Sequence, residues 1–527
     1  MNKIGSPRVL IIGIDGATPT LIMPWARDGK LPNIARLMKT GSYGDLFSTI
    51  PPTTPPAWTS FMTGVNPGKH GIFDFIERVP GSYSFRYINA RVRKVPSLWQ
   101  YLSGLGLRVG VLNVPMTFPP EEVNGFMISG LDAPGEKSAV YPANLYEELV
   151  REVGGFQLDI RHLGNMKTDE QRELFLKEVQ EVEEQRVRVL TYLQRKYTCD
   201  ALMIVFNATD QLQHHFWHYM DPSHPKHDPN GAIRFGDAIL RIYSKIDELI
   251  GTLLEEIPHR DAVILMSDHG AGPTSKYYLH TNFLLEEIGL LSFKKRSFLV
   301  NIAGQFEEFL KSHLSDSQKK FVSKLLPSLR EKIENYGMLG AIDWKHTKAF
   351  AVELTGIAPF IWVNTARDFP EGSIWSEKER VRILESIRDA FNNLKDPRDS
   401  SKIGVEVFFK EEIFNGPYIS KAPDLIPASW SDKGFNLKNT SSSPMKSSGT
   451  SKNGFCLGIE EESLIGGSEW SGTHKMEGFF LASGEKIRGG NALKNIKIVD
   501  VFPTILSILG LPIPQGIDGT VMKEVIN

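Results

Sequence analysis

The chain has 527 residues, 41% of them hydrophobic, 23% charged and 10% aromatic, which is ordinary globular composition. Its 60 Lys and Arg against 62 Asp and Glu leave a net charge of −2, excluding a globally basic protein and with it stable nucleic-acid binding. Two cysteines, Cys199 and Cys456, exclude a disulfide scaffold and a cysteine-rich zinc cluster.

The apolar run Val9–Ile14 is broken at once by Asp15, which is too short for a signal-peptide core, and nowhere do about 18 apolar residues follow one another. A cytoplasmic protein with no membrane span is the expectation. In chain order, Arg8–Ile14, Arg108–Val114, Ala201–Phe206 and Ala262–Met266 are short runs rich in Val, Ile and Leu, as strands covered on both faces tend to be. Helical patterns alternate with them. Ser97–Leu105 leads into the second strand. Thr168-x-x-Gln171 is a capping box opening a helix to about Lys196, with Leu174, Val179, Val182 and Leu190 near one face. Ser376-x-x-Glu379 opens another, carrying Val381, Leu384, Ile387, Phe391 and Leu394 and stopped by Pro397. Such alternation predicts an α/β fold around a mostly parallel central sheet flanked by helices. Two stretches read as additions: a Lys- and Glu-rich helical insertion over 292–345, and a cap or loop insertion over 404–460 containing the Ser-rich segment Lys438–Lys452. No internal repeat is present.

Polar residues gather at the strand ends. Asp15 follows the first strand, Asp210 and His214 follow the third after a short turn, and Asp268-His269-Gly270 follows the fourth. In an open α/β sheet the ligand crevice lies beyond the carboxyl ends of the strands, so three strands deliver carboxylate and imidazole to one edge. Asp and neutral His are ligands that zinc, manganese and iron accept. Singly each is bland. An Asp after a strand is commonly a helix cap, and D-x-x-x-H is frequent; among His214, His215, His218, His224 and His227 most are surface or packing residues. Their coincidence at one edge carries the metal reading. In Thr53-Thr54-Pro55-Pro56, Pro55 suits a first helical position, making Thr54 the N-cap, its hydroxyl beside free backbone N–H groups where a phosphoryl group is welcome. A simple cap is the alternative; beside a divalent ion the same hydroxyl is a nucleophile.

Gly13-Ile14-Asp15-Gly16, Thr54-Pro55-Pro56 leading to Thr63-Gly64, Pro67-Gly68-Lys69-His70-Gly71-Ile72, Asp210-x-x-x-His214, Ser267-Asp268-His269-Gly270, Gly472-Thr473-His474 and Asp500-Val501-Phe502-Pro503 run in that order over nearly the whole chain. In this the sequence resembles the type I phosphodiesterase/nucleotide pyrophosphatase family of the alkaline phosphatase superfamily. The resemblance implies one alkaline-phosphatase-like catalytic domain over 1–527 and a two-metal hydrolase of phosphoric esters, diesters or nucleotide pyrophosphates. It further implies that Asp210, His214 and His474 hold one divalent ion, zinc first with manganese or iron as alternatives. Asp15, Asp268, His269 and the hydroxyl of Thr54, the family's nucleophile, would hold the other, and a phospho-threonine would form. The substrate class is a small phosphate ester or nucleotide; the oligomeric state is not legible. One departure stands out: Phe75 falls where the family's nucleotide pyrophosphatases carry an Asn that binds a phosphoryl oxygen.

Rival readings remain. A phosphomonoesterase or another phosphotransfer enzyme of the superfamily turns on one or two substrate-facing residues. Pro51–Thr63 contains neither Cys nor Arg, which sets a sulfatase aside, and a mutase is expected to use Ser and a larger insertion. A non-catalytic metal-binding protein predicts decay among the ligand positions, and all seven are filled.

Overall fold

The computed structural model describes residues 7–130, 132–160, 166–258, 261–275, 277–294, 339–340, 342–352, 357–396, 399–428, 435–438, 455–456 and 470–527. Its frame is a nine-stranded sheet. Five neighbouring strands, Ala262–Met266, Val9–Ile14, Ala201–Phe206, Val109–Val114 and Gly125–Ser129, run parallel. Glu477–Ser483 pairs antiparallel with both Ala262–Met266 and Ser42–Phe47, Ala492–Lys497 closes that edge, and Val140–Tyr141 closes the other.

The unbroken apolar runs follow from cover on both faces. Successive side chains of a strand point to opposite sides. Leu10, Ile12 and Ile14 therefore join Phe175, Leu190 and Ile242 in one core. Val9 and Ile11 join Trp58, Phe61 and Phe502 in the other. Burying each such side chain contributes about 1.5–3 kcal/mol.

The three capped helices lie at Leu98–Gly104, Asp169–Tyr197 and Glu377–Asn392. Ser97 and Thr168 each form the reciprocal cap with Gln100 and Gln171, and Ser376 accepts the N–H of Glu379. Two facing residues are corrected: Leu174 is 47% exposed and Val381 39% exposed. The buried stripes run instead through Phe175, Val179, Val182 and Leu190, and through Arg380, Leu384, Ile387 and Phe391. Each misplaced residue is one position, about 100° of helix, off its stripe. Pro397 lies outside the described residues.

A second, antiparallel sheet orders Ala349–Val352, Phe360–Val363, Leu425–Ala428 and Glu406–Phe409. Phe350, Ile361, Ile387, Phe391 and Leu425 give it its own core. Two of its strands fall within 404–460, while most of 292–345 and of the Ser-rich segment lies outside the described residues. Gly270–Pro273 pairs antiparallel with Gly472–Lys475, setting Ala271 opposite His474.

Candidate metal centre

The structure brings all seven sequence-predicted residues to one corner. Asp15 leaves the central strand with its N–H on Phe206 O at 2.8 Å. Helix Ala208–Met220 carries Asp210 and, one turn on, His214, whose Nε2 lies 3.3 Å from Asp210 Oδ1. His474 arrives across the two-stranded ladder, its Nε2 3.4 Å from the same oxygen and 3.0 Å from His214 Nε2. Asp268 and His269 end their strand with His269 Nε2 3.3 Å from Asp268 Oδ2 and 3.7 Å from Asp15 Oδ1. Thr54 Oγ1 stands 3.4 Å from that Nε2. All but Asp210 are fully or nearly fully buried. Two sets lie with their ligand atoms within 4.8 Å of one another: Asp210, His214 and His474, and Asp15, Asp210 and His269.

The surroundings orient each group. The Nδ1 atoms of His214, His269 and His474 lie 2.9, 3.0 and 2.8 Å from the carbonyl oxygens of Gly472, Gly270 and Pro52. A carbonyl only accepts, so each Nδ1 carries the proton and each Nε2 presents a lone pair. The carboxylates are likewise held by one oxygen. Trp58 Nε1 donates to Asp15 Oδ2 at 3.0 Å, and Gly16 N to Asp268 Oδ1 at 3.2 Å. Asp15 Oδ1, Asp268 Oδ2 and Asp210 Oδ1 remain buried with no hydrogen-bond donor. Three orphaned carboxylate oxygens and converging imidazole lone pairs, two of them 3.0 Å apart, repel one another unless cations lie among them. The residues thus fit divalent metal.

The electrostatics agree. Burial, then the charges of Asp268 and Asp210, raise Asp15 well above the carboxylate range; burial and Asp210 do the same to Asp268. Burial and then His474 push His269 well below the usual imidazole value. Burial also works against ionised Asp210, yet His214 and His474 hold it low. Against burial, Asp210 raises His214, whereas burial lowers His474 as it does His269; carboxylates and imidazoles crowded in this way are what a cation stabilises.

One expectation is corrected. The helix Thr54–Thr63 is capped by Thr53, whose carbonyl takes Ala57 N at 3.1 Å, so Thr54 is the first helical residue. A capping hydroxyl bonds the N–H of the second or third helical residue, and here those are Pro55 and Pro56, which have none. Thr53 makes no side-chain cap, and the tandem prolines strip this helix end of most of the N–H groups expected to meet a phosphoryl group. The Thr54 hydroxyl stays free to face His269.

Sequence reasoning missed the orienting groups Trp58, Gly16 and Trp470. Trp470 stacks on His214 with centroids 3.7 Å apart. Trp58 sits one turn after Thr54 on the same helix face, which its spacing could have revealed. Gly16 has φ +66°, and a Cβ there would lie 2.9 Å from Asp210 Oδ1.

An α/β sheet with acidic and imidazole groups converging beyond its strand ends is the architecture of a metal-dependent hydrolase. The type I phosphodiesterase/nucleotide pyrophosphatase profile matches residues 9–368, and the chain belongs to that family. Its fold is similar to that of human ectonucleotide pyrophosphatase/phosphodiesterase 5, at 13% identity and TM-score 0.51, covering 99% of this chain and 100% of that one. It is also similar to phosphonoacetate hydrolase from Sinorhizobium meliloti 1021 in complex with phosphonoformate, at 15% identity and TM-score 0.54, covering 95% and 98%. Among curated proteins no sequence matches. Among the described residues no helix is long and apolar enough to cross a membrane.

Proposed function

We propose that the chain cleaves phosphoric ester bonds, diester or nucleotide pyrophosphate in type, with Thr54 as nucleophile. Support comes from one observation above the others: the Thr54 hydroxyl, free of any capping duty, stands 3.4 Å from His269 Nε2 among carboxylate oxygens that have no donor. Asp210, His214 and His474 would hold one divalent ion, and Asp15, Asp268 and His269 with Thr54 Oγ1 the other. When bound, the pair supplies Lewis-acid stabilisation of charge at phosphorus and lowers the pKa of the threonine hydroxyl. Mixed His and Asp donors favour zinc.

Thr54 Oγ1 gives its proton to solvent and bonds to phosphorus in line as the bond to the departing ester oxygen breaks; that oxygen takes up a proton from solvent, and phospho-Thr54 remains. Water then displaces the threonine oxygen from the opposite side and restores the hydroxyl. The protein's part is orientation. The carbonyls of Gly472, Gly270 and Pro52 fix the imidazole tautomers, and Trp58 and Gly16 turn the carboxylates inward. Phe75 stands where a phosphoryl-binding Asn would be, so the metal machinery has more support than nucleotide selectivity. Relative rates on bis-p-nitrophenyl phosphate and p-nitrophenyl phosphate separate a diesterase from a monoesterase. Thr54→Ala is expected to lower kcat at least a thousandfold with metal content unchanged; wild-type turnover in the metal-loaded variant would overturn the nucleophile assignment.

A further inference from the structure

A cavity of about 340 Å³ is lined by the segment Gly71–Ile88 together with residues from the antiparallel sheet and its neighbouring loops, and it shares no residue with the metal corner. This is within the size range of small-molecule sites. Its buried lining is mostly aromatic, Phe73, Phe85, Phe360 and Trp362 beside Val352 and Pro423, with Phe85 meeting Trp362 edge to face at 5.2 Å.

Asp74 is the one acid among the buried lining residues, at 4% exposure. Its Oδ1 takes the N–H of Phe75 at 2.8 Å, and no other hydrogen bond or ion pair reaches it among the described residues. Burial with no compensating cation pushes its carboxyl up to about 7. The mouth is the reverse. Arg86, Arg367 and Lys421 are exposed there, with Arg78 half-buried. Glu77 accepts from Arg86 at 2.9 Å and lies 3.8 Å from Lys421, while Asp368 lies 3.1 Å from Arg367 and 3.9 Å from Arg78. Four cations thus share two carboxylates above a floor whose acid has no ion partner among the described residues.

A purely apolar acid would bury that carboxyl against hydrocarbon, and a purely cationic ligand would meet a positive mouth. A dipolar ligand answers both. We propose that this cavity binds a planar nitrogen heterocycle that donates an N–H to Asp74 from within the aromatic floor and carries an acidic substituent to Arg86, Arg367 and Lys421 at the mouth. The aromatic rings supply stacking area, Asp74 sets polarity, and the cations fix which end enters first.

Indole-3-acetate is a suitable probe, having a planar ring, one N–H and one carboxylate. Titrated calorimetrically into the full-length protein, it is expected to bind saturably. 1-Methylindole-3-acetate, which lacks the N–H, and indole, which lacks the acid, should each bind at least tenfold more weakly. Asp74→Ala should weaken indole-3-acetate by a similar factor. Absence of saturable binding overturns the proposal, as does equal affinity for the N-methyl compound, a comparison made on the unaltered chain and so immune to any folding defect of the variant. Binding that vanishes on chelation would place the probe at the metal corner and overturn it equally.

Discussion

Trp58 packs in the core and orients the metal corner through one atom. Its indole N–H at 3.0 Å from Asp15 Oδ2 leaves Oδ1 turned toward His269, and its ring lies where a Cβ on Gly13 would come within 2.5 Å. Trp58→Phe keeps an aromatic ring but removes the donor together with three ring atoms of a fully buried side chain. Zinc affinity, measured on chelator-stripped protein, is expected to fall about tenfold to a hundredfold. Unaltered affinity would mean that Asp15 is oriented by something else. His70 offers a test by pH. It is fully buried, its Nδ1 accepting from Ile72 N at 3.2 Å and its Nε2 3.0 Å from Ser60 Oγ, and burial, then Arg93, lowers its pKa from 6.5 to about 3. The folded pKa lies below the unfolded one, so the stability it contributes is complete above about pH 6.5 and is lost as pH falls toward 3. The loss amounts to at most about 4–5 kcal/mol. His70→Gln should flatten the dependence of unfolding free energy on pH in that window; an unchanged slope would assign the acid sensitivity to other groups.

At the scale of elements, helix Ala208–Met220 depends on a cap from elsewhere. Asn207 at its N-cap makes no side-chain cap, and Glu183 on the long helix Asp169–Tyr197 accepts the N–H groups of Asn207 and Ala208 at 3.1 and 3.0 Å. Arg186 holds the same carboxylate at 2.6 Å and Asn207 Oδ1 at 2.6 Å. Glu183→Ala leaves a buried guanidinium without its carboxylate and should cost about 3–5 kcal/mol in urea unfolding; a loss under about 1 kcal/mol would show that the pair is dispensable. What was legible in the sequence follows the same division. The four strands read from Val, Ile and Leu runs are present because both sheet faces are covered, and Asp210 and His214 were legible because i and i+4 share a helix face. His474 was not legible locally, since it reaches the corner only through the Gly270–Pro273 and Gly472–Lys475 ladder, which joins segments some two hundred positions apart. The antiparallel strand Glu477–Ser483 and the strands Ala349–Val352 and Phe360–Val363 went unread because four-residue apolar runs and long-range pairings leave little periodicity. The Thr54 cap was misassigned because Pro55 fits the second helical position as well as the first.

At the scale of the molecule, residues from Asp15 to His474 meet because parallel strands end on one edge and the ladder of Gly270–Pro273 with Gly472–Lys475 returns the chain to it. The second sheet has its own core, so changes there should alter the heterocycle cavity without touching the ligand geometry. The claim underlying the rest is that this corner holds two cations beside Thr54. Anomalous diffraction from zinc-soaked crystals, recorded on both sides of the zinc edge, tests it most directly. Two peaks about 4 Å apart are expected, one bonded to Asp210, His214 and His474 and the other to Asp15, Asp268 and His269 with Thr54 Oγ1 alongside. No peak at this corner, or zinc bound only by surface histidines, would contradict it.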